Sequence, residues 1–294
     1  NEGHQITSID NQWFGNFLPE HPNLINKKID LRDTDKIPLD NLDAVIHLAN
    51  IANDPAVELN PTLSWDINVL ASHQLIDACV RKKIKKFIFA SSGSVYGVKK
   101  EEKVTEDLPL VPISVYNKTK MIAERVFLSY KDELDIYCIR PATVCGISPR
   151  MRLDVSVNML TYQALKNGKI TVFGGNQTRP NIHINDLVEV YKLFLKNRIK
   201  SGCYNAGFEN ISILEIAKLV QKEIPSEIVI SESNDPRSYR QDSSKLRNVG
   251  FTPRYGISNA IKDIKEDFHN GKLKVDDSCY TVKWMKKLNL DNPN

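Results

Sequence analysis

Two rhythms of apolar residues alternate through the first half of this 294-residue chain. Runs in which most residues are apolar, at 43–50, 86–90 and 134–141, have the length and continuity of strands buried on both faces. A segment at 4–10 alternates and closes on Asp10, and 29–31 is a shorter strand end that also carries an acid, Asp30. Between the runs, 64–82 places Ile67, Leu70, Ala71, Leu75, Ile76, Ala78 and Cys79 on one helical stripe, and 115–130 reads as a second helix. Strand and helix in alternation predict an α/β fold, a doubly wound parallel sheet with helices on both faces. Past Gly146 the order loosens into a basic loop at 148–152, a helix at 155–167, a short strand at 170–173 and a turn-rich link at 174–180. Asn185 and Asp186 are positioned to cap a helix over 187–195. Segments at 202–206, 213–222, 228–230 and 257–269 complete a smaller mixed α/β set, and the lysine-bearing tail at 283–294 suggests no chemistry.

Composition narrows the class. With 41% hydrophobic and 26% charged residues, the chain can bury the core of one large domain or two coupled ones, and no run approaches the ~18 apolar residues of a membrane span. The net charge of +4 is mild, and basic knots such as Arg81-Lys82-Lys83 read as solvated surface, so neither nucleic acid nor a membrane is an expected partner. Cysteines 79, 138, 145, 203 and 279 are odd in number and lack metal-ligand spacing, which points to free thiols in a reduced, cytoplasmic protein without a metal site. No signal peptide or lipidation motif is visible.

Candidate chemistry gathers between Ser91 and Lys120. The strand at 86–90 delivers Ser91 and Ser92 to a carboxyl end, the edge where ligands bind in open parallel sheets. Tyr116 and Lys120 then stand four apart on one helix face. Tyr-x-x-x-Lys occurs three times, as Tyr96/Lys100, Tyr116/Lys120 and Tyr162/Lys166, but only Tyr116 follows a strand-end serine cluster within one βα unit. Asp10 at a strand end can accept both ribose hydroxyls of an adenosine, or can simply form a turn. His47 reads as a packing histidine, and Asn68, on or beside a buried stripe, must find partners for its amide.

Together with Ser91-Ser92-Gly93-Ser94-Val95-Tyr96-Gly97, the segments His47-Leu48-Ala49, Asn68, Tyr116/Lys120, Arg140-Pro141-Ala142-Thr143-Val144-Cys145-Gly146 and Arg179-Pro180-Asn181-Ile182-His183 resemble a known family. They are similar to the extended short-chain dehydrogenase/reductases, and within these to the nucleotide-sugar epimerases of the UDP-glucose 4-epimerase type. The resemblance implies NAD as cofactor and a nucleotide-sugar substrate, by default a UDP-sugar, in a homodimer paired through the helices at 64–82 and 115–130. It implies a dinucleotide-binding domain over 1–146 and about 182–206, and a nucleotide-sugar domain over 147–181 and 207–294.

In that reading Tyr116 is the general base and acid, Lys120 steadies its phenolate, and Ser92 holds the same sugar oxygen. A hydride passes from the sugar carbon to NAD⁺, the keto-sugar turns over, and the hydride returns to its other face, so the product is the epimer, C4 being the expected centre. Asp10, Asn11, Asp30, Leu31, Leu48, Ala49, Asn50, Asn68, Ala90, Ser91 and Pro141, with Tyr116 and Lys120, would hold the cofactor. Asn53, Thr143, Asn158, Phe173, Arg179 and Arg237, with Ser92 and Tyr116, would hold the nucleotide-sugar.

Two departures from the family pattern matter. Dehydratases of this kind place an Asp-Glu pair directly after the catalytic hydroxyl residue, whereas Gly93 and Ser94 stand here and cannot eliminate water. A glycine-rich first βα turn is also missing, and with it the first strand. The expectation is that about 20 to 30 further residues lie upstream of Asn1, giving the natural protein an intact mass above 33.4 kDa. The alternatives are a keto-sugar reductase on the same scaffold, which consumes cofactor stoichiometrically, and a catalytically silent nucleotide-binding protein, which the intact Ser92, Tyr116 and Lys120 oppose.

Overall fold

The computed structural model describes residues 2–233 and 238–291, so Arg237 lies outside the described residues. Strand β1 (Ile6–Asp10) pairs in parallel with β2 (Leu24–Lys28), and β3 (Ala44–His47) follows. Short helices α1 (Asp54–Val57) and α2 (Pro61–Trp65) each start from an asparagine, Asn53 or Asn60, whose side chain accepts a backbone N–H of the first turn. Helix α2 runs through a wide π-type turn, Asp66–Ala71, into α3 (Ser72–Arg81). Next come β4 (Lys86–Ala90), α4 (Val115–Leu128) and β5 (Asp135–Pro141).

Strands β3, β4 and β5, followed by β9 (Gly202–Ala206), form a parallel sheet in that order. Its two faces explain the unbroken apolar runs. Phe87, Phe89, Ile136 and Cys138 pack with Leu75, Ile76 and Cys79 of α3 and with Ala123 and Phe127 of α4. Ile88, Tyr137 and Ile139 turn the other way, against Leu187, Val190 and Phe194 of the helix Ile184–Lys196. Each large side chain taken out of water this way contributes roughly 1.5–3 kcal/mol. The sheet is doubly wound, as the alternation predicts. The β1–β2 pair is a separate sheet: among the described residues β1 pairs only with β2, and β3 only with β4 and not with β1. Ile6, Ile46 and Leu48 are exposed around those open edges.

The second half continues with β6 (Thr143–Cys145), α5 (Ser156–Asn167), β7 (Lys169–Phe173), β8 (Thr178–His183) and α6 (Ile184–Lys196). After β9 come β10 (Glu209–Ser212), α7 (Ile213–Glu223), β11 (Glu227–Ser231), α8 (Ser244–Asn248), α9 (Ile257–His269) and α10 (Thr281–Lys287). Helices α5, α7 and α9 enclose a second core with β7, built on Val157, Leu160, Val172, Ile216, Val220 and Ile261. None of the helices among the described residues is long and apolar enough to cross a membrane.

Five details differ from the sequence expectation. Leu70, assigned to the buried stripe, is 59% exposed, because the wide turn inserts an extra residue and rotates it outward. The link at 174–180 ends inside β8, where Pro180 is tolerated because the pairing with β6 begins only at Asn181. Helix α6 is capped by His183, whose Nδ1 accepts from the Asn185 N–H, while Asp186 instead accepts the N–H groups of Arg254 and Tyr255. Strand β8 crosses the expected boundary at 181/182, and Leu246, Phe251 and Met285 of the expected second domain return to cores built on the parallel sheet. The tail also has a definite task, since the Trp284 indole N–H donates to the Trp13 carbonyl at 2.6 Å.

Candidate active site

The site begins where β4 stops. Ser91 N–H donates to the Ile139 carbonyl at 2.7 Å, which continues the ladder one residue and fixes the turn that follows. Ser92 then opens a single 3₁₀ turn, Gly93–Tyr96. Opposite it, Ser114 caps α4 by accepting the Asn117 N–H at 3.1 Å, so Tyr116 stands in the first turn and Lys120 one turn on.

The buried Lys120 ammonium nitrogen donates to the Ala90 carbonyl at 2.6 Å, lies 4.6 Å over the Phe89 ring and sits 6.0 Å from the Tyr116 ring centre. Burial lowers Lys120 to a pKa of about 7, against the pull of the Glu124 carboxylate. Burial also raises the Tyr116 phenol to about 12, while a hydrogen bond with Ser92 and the charge of Arg152 oppose that rise. A phenolate beside an ammonium relieves both groups at once, so proton loss from Tyr116 and proton retention on Lys120 favour each other.

A buried polar cluster supports this pair. Glu124, one turn past Lys120, accepts Ser91 Oγ at 2.5 Å and two guanidinium bonds from Arg140, both at 2.8 Å. Arg140 also donates to the Tyr96 hydroxyl at 2.6 Å, which shows why Tyr96 with Lys100 is not a second catalytic pair. Lys166 lies over the Tyr162 ring on α5, away from any strand-end serine. His47 is a packing histidine: it meets the Ser72 hydroxyl at 2.9 Å, and burial lowers its pKa to about 3.

A cleft of about 660 Å³ opens in front of Tyr116. Of the expected residues it brings together Asn53, Ser91, Ser92, Tyr116, Pro141, Thr143, Asn158, Phe173 and Arg179. The loop at 148–154 contributes Ser148, Arg150, Arg152 and Asp154. Asn158 is expected to bind a diphosphate, but its amide is engaged by the backbone of Gly146 and Arg152, so it shapes the wall with its side chain already bonded. Asn53 sits at φ +76°, caps α1 and donates to Asp154 at 3.3 Å. Asp154 also accepts from Arg152 and from the Thr281 N–H, and Arg150 bonds the Ser278 carbonyl while stacking 3.8 Å over Phe14. The sequence reading missed this tie between the cleft loop, the loop after β1 and the tail, because its members lie more than a hundred residues apart.

Of the expected cofactor residues, Ser91, Tyr116 and Pro141 line the cleft, and the others lie outside its lining, most of them near the carboxyl ends of the parallel strands. Asp10 ends β1 and accepts the Gln12 N–H at 2.5 Å. Asp30, two residues past β2, is held by Arg32 and Asn11, and the Arg32 hydrogen bonds lower its pKa. Leu48, Ala49 and Asn50 follow β3, with Leu48 exposed as an apolar ledge. Leu31 differs from the expectation: its side chain packs into the first core, leaving only its backbone to meet a ligand. Asn68 lies buried in the wide turn and bonds both backbone groups of Ile51 and the Thr119 hydroxyl. This edge presents carboxylates, Asp10 and Asp30, at one end and the buried Lys120 ammonium at the other. Among the described residues no three His, Cys, Asp or Glu side chains are grouped to hold a metal ion.

The sequence model of the "NAD dependent epimerase/dehydratase family" matches residues 1–207. The chain belongs to this family. It is 30% identical to the UDP-glucose 4-epimerase of Lactobacillus helveticus over 285 residues, covering 86% of each chain. It is 29% identical to the dTDP-D-glucose 4,6-dehydratase of Bos taurus, over 79% of this chain and 70% of that one. Among solved structures, UDP-glucuronic acid 4-epimerase from Bacillus cereus, in complex with UDP-glucuronic acid and NAD, superposes with a TM-score of 0.79 at 26% identity, covering 90% and 92% of the two chains. Family members of both reaction types are therefore similar to it. Glycine at 93 has no carboxylate, and a Cβ there would meet the Gln241 amide at 3.2 Å and the Pro141 carbonyl at 3.3 Å. Ser94 supplies only a hydroxyl.

Proposed function

We propose that this protein is an NAD-dependent nucleotide-sugar epimerase that inverts C4 of a UDP-sugar by transient oxidation and re-reduction. The observation that carries the proposal is Ser92 and Tyr116 on the wall of one cleft, with the Lys120 ammonium buried beside the Tyr116 ring and no carboxylate pair at 93 and 94. NAD, when bound, takes a hydride from the sugar carbon and returns it. The protein's own residues manage the proton and the pose. Tyr116 as phenolate accepts the sugar hydroxyl proton and later gives it back, and Ser92 holds the same oxygen. Lys120, anchored on the Ala90 carbonyl, keeps its charge beside the phenolate and faces the cofactor ribose. Arg179 and Arg152 place guanidinium groups on the cleft wall, where a diphosphate is well matched. Phe173, 55% exposed at that wall, offers a face for the nucleotide base. The UDP-sugar specificity is supported by the likeness to UDP-glucose and UDP-glucuronic acid 4-epimerases.

Two copies pair through α4 and the helix containing the wide turn, with the exposed Leu70 in the contact. The direct test of activity incubates the protein with NAD⁺ and a panel of nucleotide-sugars, following product stereochemistry and NADH absorbance. Interconversion of C4 epimers without net NADH is expected, and Tyr116→Phe should abolish it while nucleotide-sugar binding persists. Stoichiometric NADH formation would favour a one-way oxidoreductase, and loss of water from the sugar would overturn the proposal.

A further inference from the structure

Two polar residues beside Tyr116 have no part in the chemistry so far. Ser94 lines the cleft, its hydroxyl lies 2.7 Å from that of Ser92, and it donates to Asn117 Oδ1 at 2.6 Å. Asn117 is fully buried, and its Nδ2 is a donor without a partner among the described residues. A buried amide donor left unbonded costs about 1–3 kcal/mol, a penalty that an apolar side chain of similar volume would not carry.

We propose that Ser92, Ser94 and Asn117 form a hydrogen-bond wire behind Tyr116, and that Asn117 sets the direction in which it points. The proposal rests on the reading of Tyr116 as the acid–base group. When Tyr116 holds its proton, its O–H donates to Ser92, Ser92 donates to Ser94, and Ser94 donates to Asn117 Oδ1, which is the arrangement at the far end in the structure. A phenolate needs the opposite order. Ser92 then turns its O–H onto Tyr116 and Ser94 turns its O–H onto Ser92. A half-turn of the Asn117 amide brings Nδ2 to the vacated Ser94 oxygen and gives that idle donor a partner. The proton released by the sugar hydroxyl goes to the phenolate oxygen and no further, while in the wire only rotors turn and no covalent bond is made or broken. Asparagine offers an acceptor and a donor on adjoining atoms, so it closes the wire in either direction, whereas an aspartate closes it in one.

The charged and titratable groups facing Tyr116 are Lys120 on its own helix, Asp54 of α1, Arg152 of the cleft loop and Tyr191 of α6. None of them belongs to the wire, so its contribution is separable. Ser94 and Asn117 are positioning residues for Tyr116, and their test is a titration. The full chain labelled with [¹³Cζ]tyrosine is followed by NMR against pH, with and without NAD⁺, the Tyr116 resonance being assigned by its loss in Tyr116→Phe. Asn117→Asp should raise the Tyr116 titration by about one pH unit, a tenfold loss of phenolate, and move the acid limb of the turnover profile equally. In a Ser94→Ala background that shift should fall to less than half.

Ser94→Ala alone removes the acceptor that competes for the Ser92 proton and should lower the titration, while Ser94→Thr should titrate as the wild type does. An equal Asn117→Asp shift with and without Ser94 would mean simple charge repulsion and overturn the wire. An unmoved titration in Ser94→Ala would overturn it too, and that variant keeps the test available if Asn117→Asp does not fold. Because the titration is read without turnover, shifts of the expected kind in a protein inactive on every nucleotide-sugar would refute the epimerase reading and leave the wire standing.

Discussion

Replacing Lys120 with methionine should flatten the pH dependence of stability between pH 7 and 9. The lysine stem is buried, its nitrogen bonds the Ala90 carbonyl, and burial lowers its pKa from 10.5 to about 7. Above pH 7, while Tyr116 keeps its proton, the folded amine is neutral whereas the unfolded one stays charged up to 10.5, so unfolding takes up a proton and stability rises with pH across that window. One proton over two pH units corresponds to about 2–3 kcal/mol. Other groups leave this window clear. His47, lowered to about 3, acts below pH 6.5. The buried thiols of Cys79, Cys138 and Cys145 and the Tyr116 phenol, all raised, act in the opposite sense, the thiols from around pH 9 and the phenol from around pH 10, and the thiols are present in both proteins. Lys86 is lowered as well, but it is present in both proteins and cancels in their difference. Urea denaturation of wild type and Lys120→Met at pH 7, 8 and 9 measures the effect. Parallel stability curves for the two proteins would refute the assignment of a strained, partly neutral amine at this position.

Glu124→Gln should cost about 3–5 kcal/mol, because it leaves the Arg140 guanidinium buried without its carboxylate. Urea unfolding of Glu124→Met, Arg140→Met and their double variant should show the double losing clearly less than the sum of the singles, and additivity within about 0.5 kcal/mol would count against the coupling. If two copies pair as proposed, Leu70→Glu should lower the apparent mass in sedimentation from dimer towards monomer, and a variant that stays dimeric would exclude Leu70 from the contact.

The β4–α4 unit was legible because both of its signals are local. A strand-length apolar run led into serines, and a helical period placed Tyr116 and Lys120 on one face. The core faces of α3, β4 and β5 were legible for the same reason. Leu70 was not, since the extra residue of a wide turn breaks the 3.6-residue period without leaving a mark in the sequence. Strand β8 was hidden by Pro180 and by the polar Arg179 and Asn181, which carry little β-propensity and are held by neighbours distant in the chain. Arg150 with Phe14, and Trp284 with Trp13, meet only in three dimensions. Ser94 lay in view inside the serine cluster, yet its bond to Asn117 depends on the angle at which a 3₁₀ turn meets a helix start.

The wide turn at Asp66–Ala71 behaves as a built-in insertion. Deleting one residue there, for instance Leu70, would let the helix close into a regular spiral and swing the preceding residues about 100° relative to the stripe of α3. Asn68 would then lose its grip on Ile51 and on Thr119 of α4. An outward leucine that no core requires is thus the spacer that lets one asparagine tie the end of β3 to the helix carrying Tyr116. A length change of a single residue would be more damaging here than most substitutions.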